Sequence, residues 1–317
     1  MPVCPKVILV TMFEPAGRAG ELTLFRERMD LAPVELAGTG LGSVYLGHEG
    51  HLLALCAGVG TANTAVSLMA LGLCPEVDTS ESTWIIAGIG GGDPTLTTLG
   101  TPVWADWCVD GDFGFEIDAR EIPSGWSTGI LPLGAQEPFG LSNFSDADFG
   151  QSYQAFELNA ELVAQAKALS ENAPLDRAED RDAYLASFGS DSVAAQAPAV
   201  TVGGNMASAR YFHGQLATQW ARRWMEHWSG GKSTFTSCGM EDTGSMHAIA
   251  HLQKLGLTQL SRVLILRTIS NFTLPPPGEC PTEHFHDKNA FPAFDLALEN
   301  GYRVATAVID HLLAEDG

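Results

Sequence analysis

The side chains best suited to chemistry are two carboxylates and two amides that follow apolar runs or open helices: Glu14, Asn205, Glu241 and Asn271. A carboxylate can accept hydroxyl donors or take a proton from water, whereas a carboxamide donates and accepts hydrogen bonds without handing over a full proton. Each residue also has an ordinary structural explanation. Glu241, just after Met240 at a helix start, suits the helix dipole. Asn271 after a strand can turn the chain, and Glu14 before Pro15 can be an exposed loop acid. At the exits of strands on one side of a sheet, however, the four converge on a shared pocket.

The elements that must position them centre on TWIIAGIGGGDPTLTTLGTPVWAD, residues 83–106. Trp84 to Ala87 has the length of a buried strand. Gly88, Gly90, Gly91 and Gly92 predict a turn at positive φ, where the backbone can approach a ligand. AGVGTANTA, residues 57–65, predicts a second strand–turn–helix unit, with free N–H groups for an anion or a ribose hydroxyl. It lacks the third glycine of a dinucleotide fingerprint. A third strand over 199–202 ends in Gly203-Gly204-Asn205, and a last one over 262–269 exits through Ser270-Asn271-Phe272. A first strand spans 6–12, and a hairpin turns at Glu49-Gly50. Helices are expected over 21–29, 61–71, 153–170, 215–228, 239–255 and 294–313. The alternation predicts an α/β fold: a three-layer α/β/α domain on a mostly parallel, twisted central sheet. It spans 1–317 as one domain, with surface excursions near 111–151, a candidate lid, and near 272–292.

Composition narrows the function. Among 317 residues, 38 acidic and 17 basic side chains leave a net charge of −21, which opposes nucleic-acid and anionic-membrane partners. Apolar stretches are interrupted well before the 18 or so residues of a membrane span. MPVCPKVILVTMFEP lacks a signal-peptide pattern and reads as a strand, so a soluble protein of the cytoplasm is expected, or a periplasmic or secreted one if a leader was removed. Six dispersed cysteines without a CxxC pair predict neither a disulfide framework nor a cysteine zinc site. In His284-Phe285-His286-Asp287 no helix is expected to set the spacing, so a substrate-contacting loop histidine is favoured over a metal site. Trp220, Trp224 and Trp228, spaced by four, predict an apolar helix face for the core or a subunit interface.

Several stretches together resemble the purine nucleoside permease family, within the nucleoside phosphorylase/nucleosidase superfamily. They are VILVTMFEPAG, AGVGTANTA, IIAGIGGGDPTLTTLGTPVWADW, VDGDFGFEIDAREIP, VGGNMASARYF, GMEDTG and LRTISNF, in order over nearly the whole chain. The resemblance implies a twisted sheet flanked by helices, a homo-oligomer, and cleavage of the N-glycosidic bond of purine nucleosides without a metal or organic cofactor. GMEDTG implies that Glu241 holds the ribose hydroxyls, with Met240 under the sugar. VGGNMASARYF implies a purine-binding strand end at Asn205 and Met206. Ala207 stands where many members carry a phenylalanine, which leaves Tyr211 or Phe212 to stack on the base. TISNF implies that Asn271 hydrogen-bonds purine N7, and Ser270, Gly90 and Gly91 line the same site. The first loop is similar both to that of methylthioadenosine nucleosidases, which would make Glu14 the base for water, and to that of hexameric phosphorylases, which would make Arg18 a phosphate ligand. Ile86 and Ile89 stand where those phosphorylases carry an arginine and a small hydroxyl residue. Hydrolysis to purine base and ribose is therefore expected. The alternatives are phosphorolysis, with phosphate as co-substrate, and a nucleoside-binding protein that assists uptake.

Overall fold

The most apolar runs of the sequence become the centre of the sheet. In the computed structural model, which describes residues 2–149, 152–286 and 292–314, VILVT forms β1 (Val7–Thr11), buried along its length. Short β2 (Ala32–Val34) and β3 (Val44–Gly47) pair antiparallel at one edge and lead into β4 (Leu52–Cys56). Next come β5 (Thr83–Gly92) and β6 (Pro102–Asp110). A small hairpin of β7 (Phe115–Glu116) and β8 (Ile130–Leu131) stands apart from the main sheet. The remaining strands are β9 (Ala155–Glu157), β10 (Thr201–Ala207), β11 (Phe235–Gly239) and β12 (Val263–Phe272).

Across the sheet the order is β11-β10-β6-β12-β5-β1-β4-β3-β2, with β9 added to β6. Five of the central pairings are parallel: β1 with β4 and β5, β10 with β6 and β11, and β12 with β5. β11 also pairs antiparallel with the far end of β5, so the sheet curls back on itself there. Burial on both faces explains why these strands read as unbroken apolar runs rather than alternating ones.

The helices are α1 (Thr23–Arg28), α2 (Thr61–Gly72), α3 (Asp146–Phe149), α4 (Ala160–Ser170) and α5 (Asp182–Ala186). They continue with α6 (Gln215–Ser229), α7 (Asp242–Lys254), α8 (Pro281–His286) and α9 (Phe294–Ala314). α2 packs on α7, while α9 packs on α1, α4, β5 and β12, which gives the three layers.

Two expectations need correction. The glycines after Ala87 are not a turn: β5 runs through them to Gly92, and none of the four has a positive φ. They are there for close packing. A Cβ at Gly90 would lie 2.2 Å from the Cys238 carbonyl oxygen, and one at Gly88 would lie 2.6 Å from Glu21 Oε1. The helix expected from Tyr153 begins only at Ala160, capped by Asn159, whose side chain accepts from the N–H groups of Glu161 and Leu162. The residues before it form β9 against β6. The tryptophan face of α6 packs into the core, one of the two places expected for it: Trp220 and Trp224 are buried with Met206, Met225 and Phe235, and Trp228 is partly buried against them.

Candidate functional site

Strand ends and helix starts meet around a cavity of about 460 Å³, a volume suited to one small-molecule ligand. The expected residues Gly90, Gly91, Tyr211, Met240, Glu241, Ser270, Asn271 and Arg18 all line it. Glu241 is buried at the N-cap of α7. Its Oε1 accepts from the Gly60 N–H (3.2 Å), and its Oε2 accepts from the Met240 N–H (3.1 Å) and from Arg267 Nη2 (2.8 Å). The N–H expected to serve a ligand at the AGVG turn therefore serves Glu241, which remains able to accept further hydroxyl donors on its free lone pairs.

Asn271 sits where β12 leaves the sheet. Its Oδ1 accepts from Ser270 Oγ (2.9 Å) and its Nδ2 donates to the Tyr211 hydroxyl (3.1 Å). Burial pushes the Tyr211 phenol up to about 12, so it stays neutral. Phe212 completes the aromatic wall, braced by Trp220 and Phe235. The segment carrying both rings is pinned by Asp112, which accepts from Ser208 Oγ (2.7 Å) and the Ala209 N–H (2.6 Å). Cys238 also faces the cavity, and burial pushes its thiol up to about 12, which keeps it from acting as a thiolate nucleophile.

Three expected residues lie elsewhere. The Glu14 carboxylate is exposed and does not line the cavity. It accepts from the N–H groups of Leu22 (2.5 Å) and Thr23 (3.0 Å) and from Thr23 Oγ1 (2.9 Å), so it fastens the start of α1. Asn205 and Met206 are wholly buried beneath the site rather than in its wall. Met206 belongs to the apolar core that also holds Trp224. Asn205 Nδ2 donates to Asp242 Oδ2 (2.8 Å), and its Oδ1 accepts from Ser237 Oγ (3.1 Å).

Two residues that sequence reasoning passed over occupy the floor of the cavity. In the sequence Glu21 reads as the start of a helix. It is buried, with Oε2 accepting from the N–H groups of Met12 (2.8 Å) and Phe13 (3.0 Å) and Oε1 from that of Ile89 (2.8 Å). Burial pushes its pKa up to about 7, against the pull of Arg267 and these N–H groups. Arg267 is 1% exposed in the middle of β12. Burial opposes its charge, but Asp242 and Glu241 hold its pKa above the usual value. Its Nε and Nη2 reach Asp242 (2.7–3.1 Å), Nη2 also reaches Glu241, and Nη1 donates to the Ile89 carbonyl (3.0 Å). A lone arginine in VLILRTIS was the available signal, since a charge inside a buried strand must find partners. Arg267→Met should cost about 3–5 kcal/mol of stability by stranding two buried carboxylates. Urea denaturation would read this as a lower midpoint with a similar slope.

Every arginine on the cavity is already engaged. Arg18 pairs with Asp295 (2.8 Å) and lies over the Phe294 ring, and Arg210 pairs with Asp112 (3.1 Å) and Glu116 (3.3 Å). His284, offered as a loop histidine, lies in α8 beside the site wall. Its Nδ1 meets His213 Nε2 (3.1 Å) and its Nε2 meets the Tyr184 hydroxyl (3.1 Å). Asp287 of the same motif lies outside the described residues, among which no group of three or more acidic, histidine or cysteine side chains could hold a metal ion.

The family model for purine nucleoside permease (NUP) matches residues 4–316. The chain belongs to that family. A purine nucleoside permease of Candida albicans is 26% identical over 259 residues, 81% of this chain and 62% of the relative, so the chain spans less than two thirds of that protein. A probable purine nucleoside permease of Schizosaccharomyces pombe is 25% identical over 98% of this chain and 89% of its own length. Among solved structures, the 5′-methylthioadenosine/S-adenosylhomocysteine nucleosidase of Neisseria meningitidis, in complex with methylthio-immucillin-A, matches with a TM-score of 0.58 at 16% identity. That match covers 96% of this chain and 98% of the nucleosidase. Futalosine hydrolase of Helicobacter pylori matches with a TM-score of 0.55 at 15% identity, over 97% of this chain and 98% of its own. These likenesses establish the nucleoside phosphorylase-like fold. No described helix is long and apolar enough to cross a membrane.

Proposed function

We propose that this protein hydrolyses the N-glycosidic bond of purine nucleosides, releasing the free base and ribose. The observation that carries the proposal is Glu21: a buried carboxylate in no described ion pair, facing the same cavity as Glu241. Glu241 accepts the ribose hydroxyls, and Asn271 donates to purine N7. As the C1′–N9 bond lengthens, its electron pair moves onto the purine and positive charge builds on the sugar. Water attacks C1′ and gives its proton to Glu21, which takes the role expected of Glu14. The purine leaves as an anion hydrogen-bonded at N7 by Asn271 and is protonated by solvent, and Glu21 returns its proton to solvent. A carboxylate held near the sugar also favours the developing positive charge. No step calls for a metal or organic cofactor.

The pairing of every cavity arginine supports hydrolysis over phosphorolysis, because a phosphate dianion needs several uncommitted donors. The solved neighbours, named nucleosidases and a hydrolase, agree with glycosidic cleavage. Membership of a family named for permeation favours a second reading, in which the protein captures nucleoside to assist uptake. Inosine, adenosine and guanosine, incubated with the protein and separated by chromatography, decide among the three. Base and free ribose should appear at a rate indifferent to phosphate. Ribose 1-phosphate rising with phosphate would make it a phosphorylase, and bound but intact nucleoside would make it a binding protein.

A further inference from the structure

Asp242 has no role in the reaction as proposed, yet it is the most thoroughly engaged carboxylate beneath the site. It is wholly buried at the first turn of α7, holds Arg267 through both oxygens (2.7–3.1 Å), and is itself fixed by Asn205 Nδ2 (2.8 Å). Ser237 holds Asn205 in turn, so a chain of buried polar groups ends on the guanidinium. A guanidinium has five N–H groups. Asp242 draws its Nε edge away from the cavity, while Nη2 also reaches Glu241 and Nη1 reaches the Ile89 carbonyl. Among the described residues, the Glu21 carboxylate bonds only to backbone N–H groups. Glu21 Oε1 and Arg267 Nη1 lie 2.6 and 2.8 Å from the point where a Cβ on Gly88 would stand, so the two groups flank one glycine without pairing.

We propose that Asp242 is a positioning residue that keeps Arg267 from closing an ion pair with Glu21, leaving Glu21 free to act as a base. The inference rests on the hydrolase reading for its consequence but not for its geometry. Besides Arg267 from β12, the titratable groups around Glu21 are Glu241 at the start of α7, the Cys56 thiol at the end of β4 and Tyr302 of α9. Asp242 acts on this set only through Arg267. Without its charge, Arg267 turns toward Glu21 and favours the carboxylate, so the Glu21 pKa falls from about 7. The sign is fixed: a base with a lower pKa stays active to lower pH.

The test is the acid limb of kcat/KM against pH in Asp242→Asn. It should move down by about one unit, the lower end of what a close opposite charge does to a carboxylate, with kcat falling more than KM rises. If that variant does not fold, the Asn205→Asp/Asp242→Asn exchange keeps the buried hydrogen bond and the net charge while moving the carboxylate one residue away from Arg267. It should show the same downward limb. A limb within about 0.2 unit of wild type in the folded variants would reduce Asp242 to a structural ion-pair partner and overturn the proposal. Titrating the Glu21 carboxyl carbon by NMR separates the two readings, because it needs no turnover. A Glu21 that titrates lower in the variants of a protein without hydrolase activity would uphold Asp242 and reject the hydrolase. An unmoved Glu21 in an active hydrolase would do the reverse.

Discussion

Glu21→Gln should lower kcat by about 10²–10⁴-fold, the scale of lost general-base help, with little change in KM. Glutamine keeps the length of the side chain and, with its amide oxygen in place of Oε2, can still accept from the Met12 and Phe13 N–H groups, but it cannot take a proton from water. The pH dependence provides the sharper check. The Glu21 pKa is pushed up to about 7 by burial, and the base works only when ionised. Wild-type kcat/KM should therefore rise with pH up to about 7 and then level off, while the residual activity of the variant loses that limb. Glu14→Gln is the built-in control. Glu14 lies outside the cavity, fastening α1, so its loss should shift stability slightly and leave the pH profile unchanged. A large kcat effect from Glu14 and none from Glu21 would return the base to the position first expected from the sequence.

What the sequence revealed of the site follows from where each residue lies along a strand. Glu241, Asn271, Ser270 and Tyr211 stand at strand exits or helix starts, where the chain leaves the sheet and polar side chains are set apart from apolar runs. Glu21 and Arg267 are hidden by their neighbours. Glu21 precedes an amphipathic helix and resembles any first-turn acid, and its route into the cavity depends on three N–H groups, two from Met12 and Phe13 just past β1 and one from Ile89 in β5. Arg267 is masked by the strand that buries it. Asn205 and Met206 were misplaced for a related reason: β10 continues two residues past Asn205, so both side chains stay inside the fold. The fold class was legible because parallel strands buried on both faces leave unbroken apolar runs. The curl that pairs β11 with β5 was not, since it depends on contacts between residues about 145 apart in the chain, such as Ser237 with Gly92.

Glu241→Gln should leave the fold intact and reduce kcat/KM by about 10- to 150-fold for each sugar hydroxyl it holds, the equivalent of about 1.5–3 kcal/mol per charge-assisted hydrogen bond. The orientation of the new amide is determined by its surroundings. Arg267 Nη2 and the Met240 N–H both point at Oε2, and the Gly60 N–H points at Oε1. The amide oxygen must therefore face Arg267, which leaves the NH₂ group opposite the Gly60 N–H, donor against donor. A sugar hydroxyl arriving there meets a donor in place of a charged acceptor. Because this contact holds the substrate before and during cleavage, KM should rise as well as kcat fall, unlike the pattern at Glu21. A substrate comparison isolates the contact. A 2′,3′-dideoxynucleoside has no hydroxyls for Glu241 to hold, so wild type should use it poorly and the variant should use it almost as well as wild type does. The two losses should then be far less than additive, as for partners in one interaction. An equal penalty on the dideoxy substrate would mean that Glu241 acts by keeping Arg267 paired and does not touch the sugar.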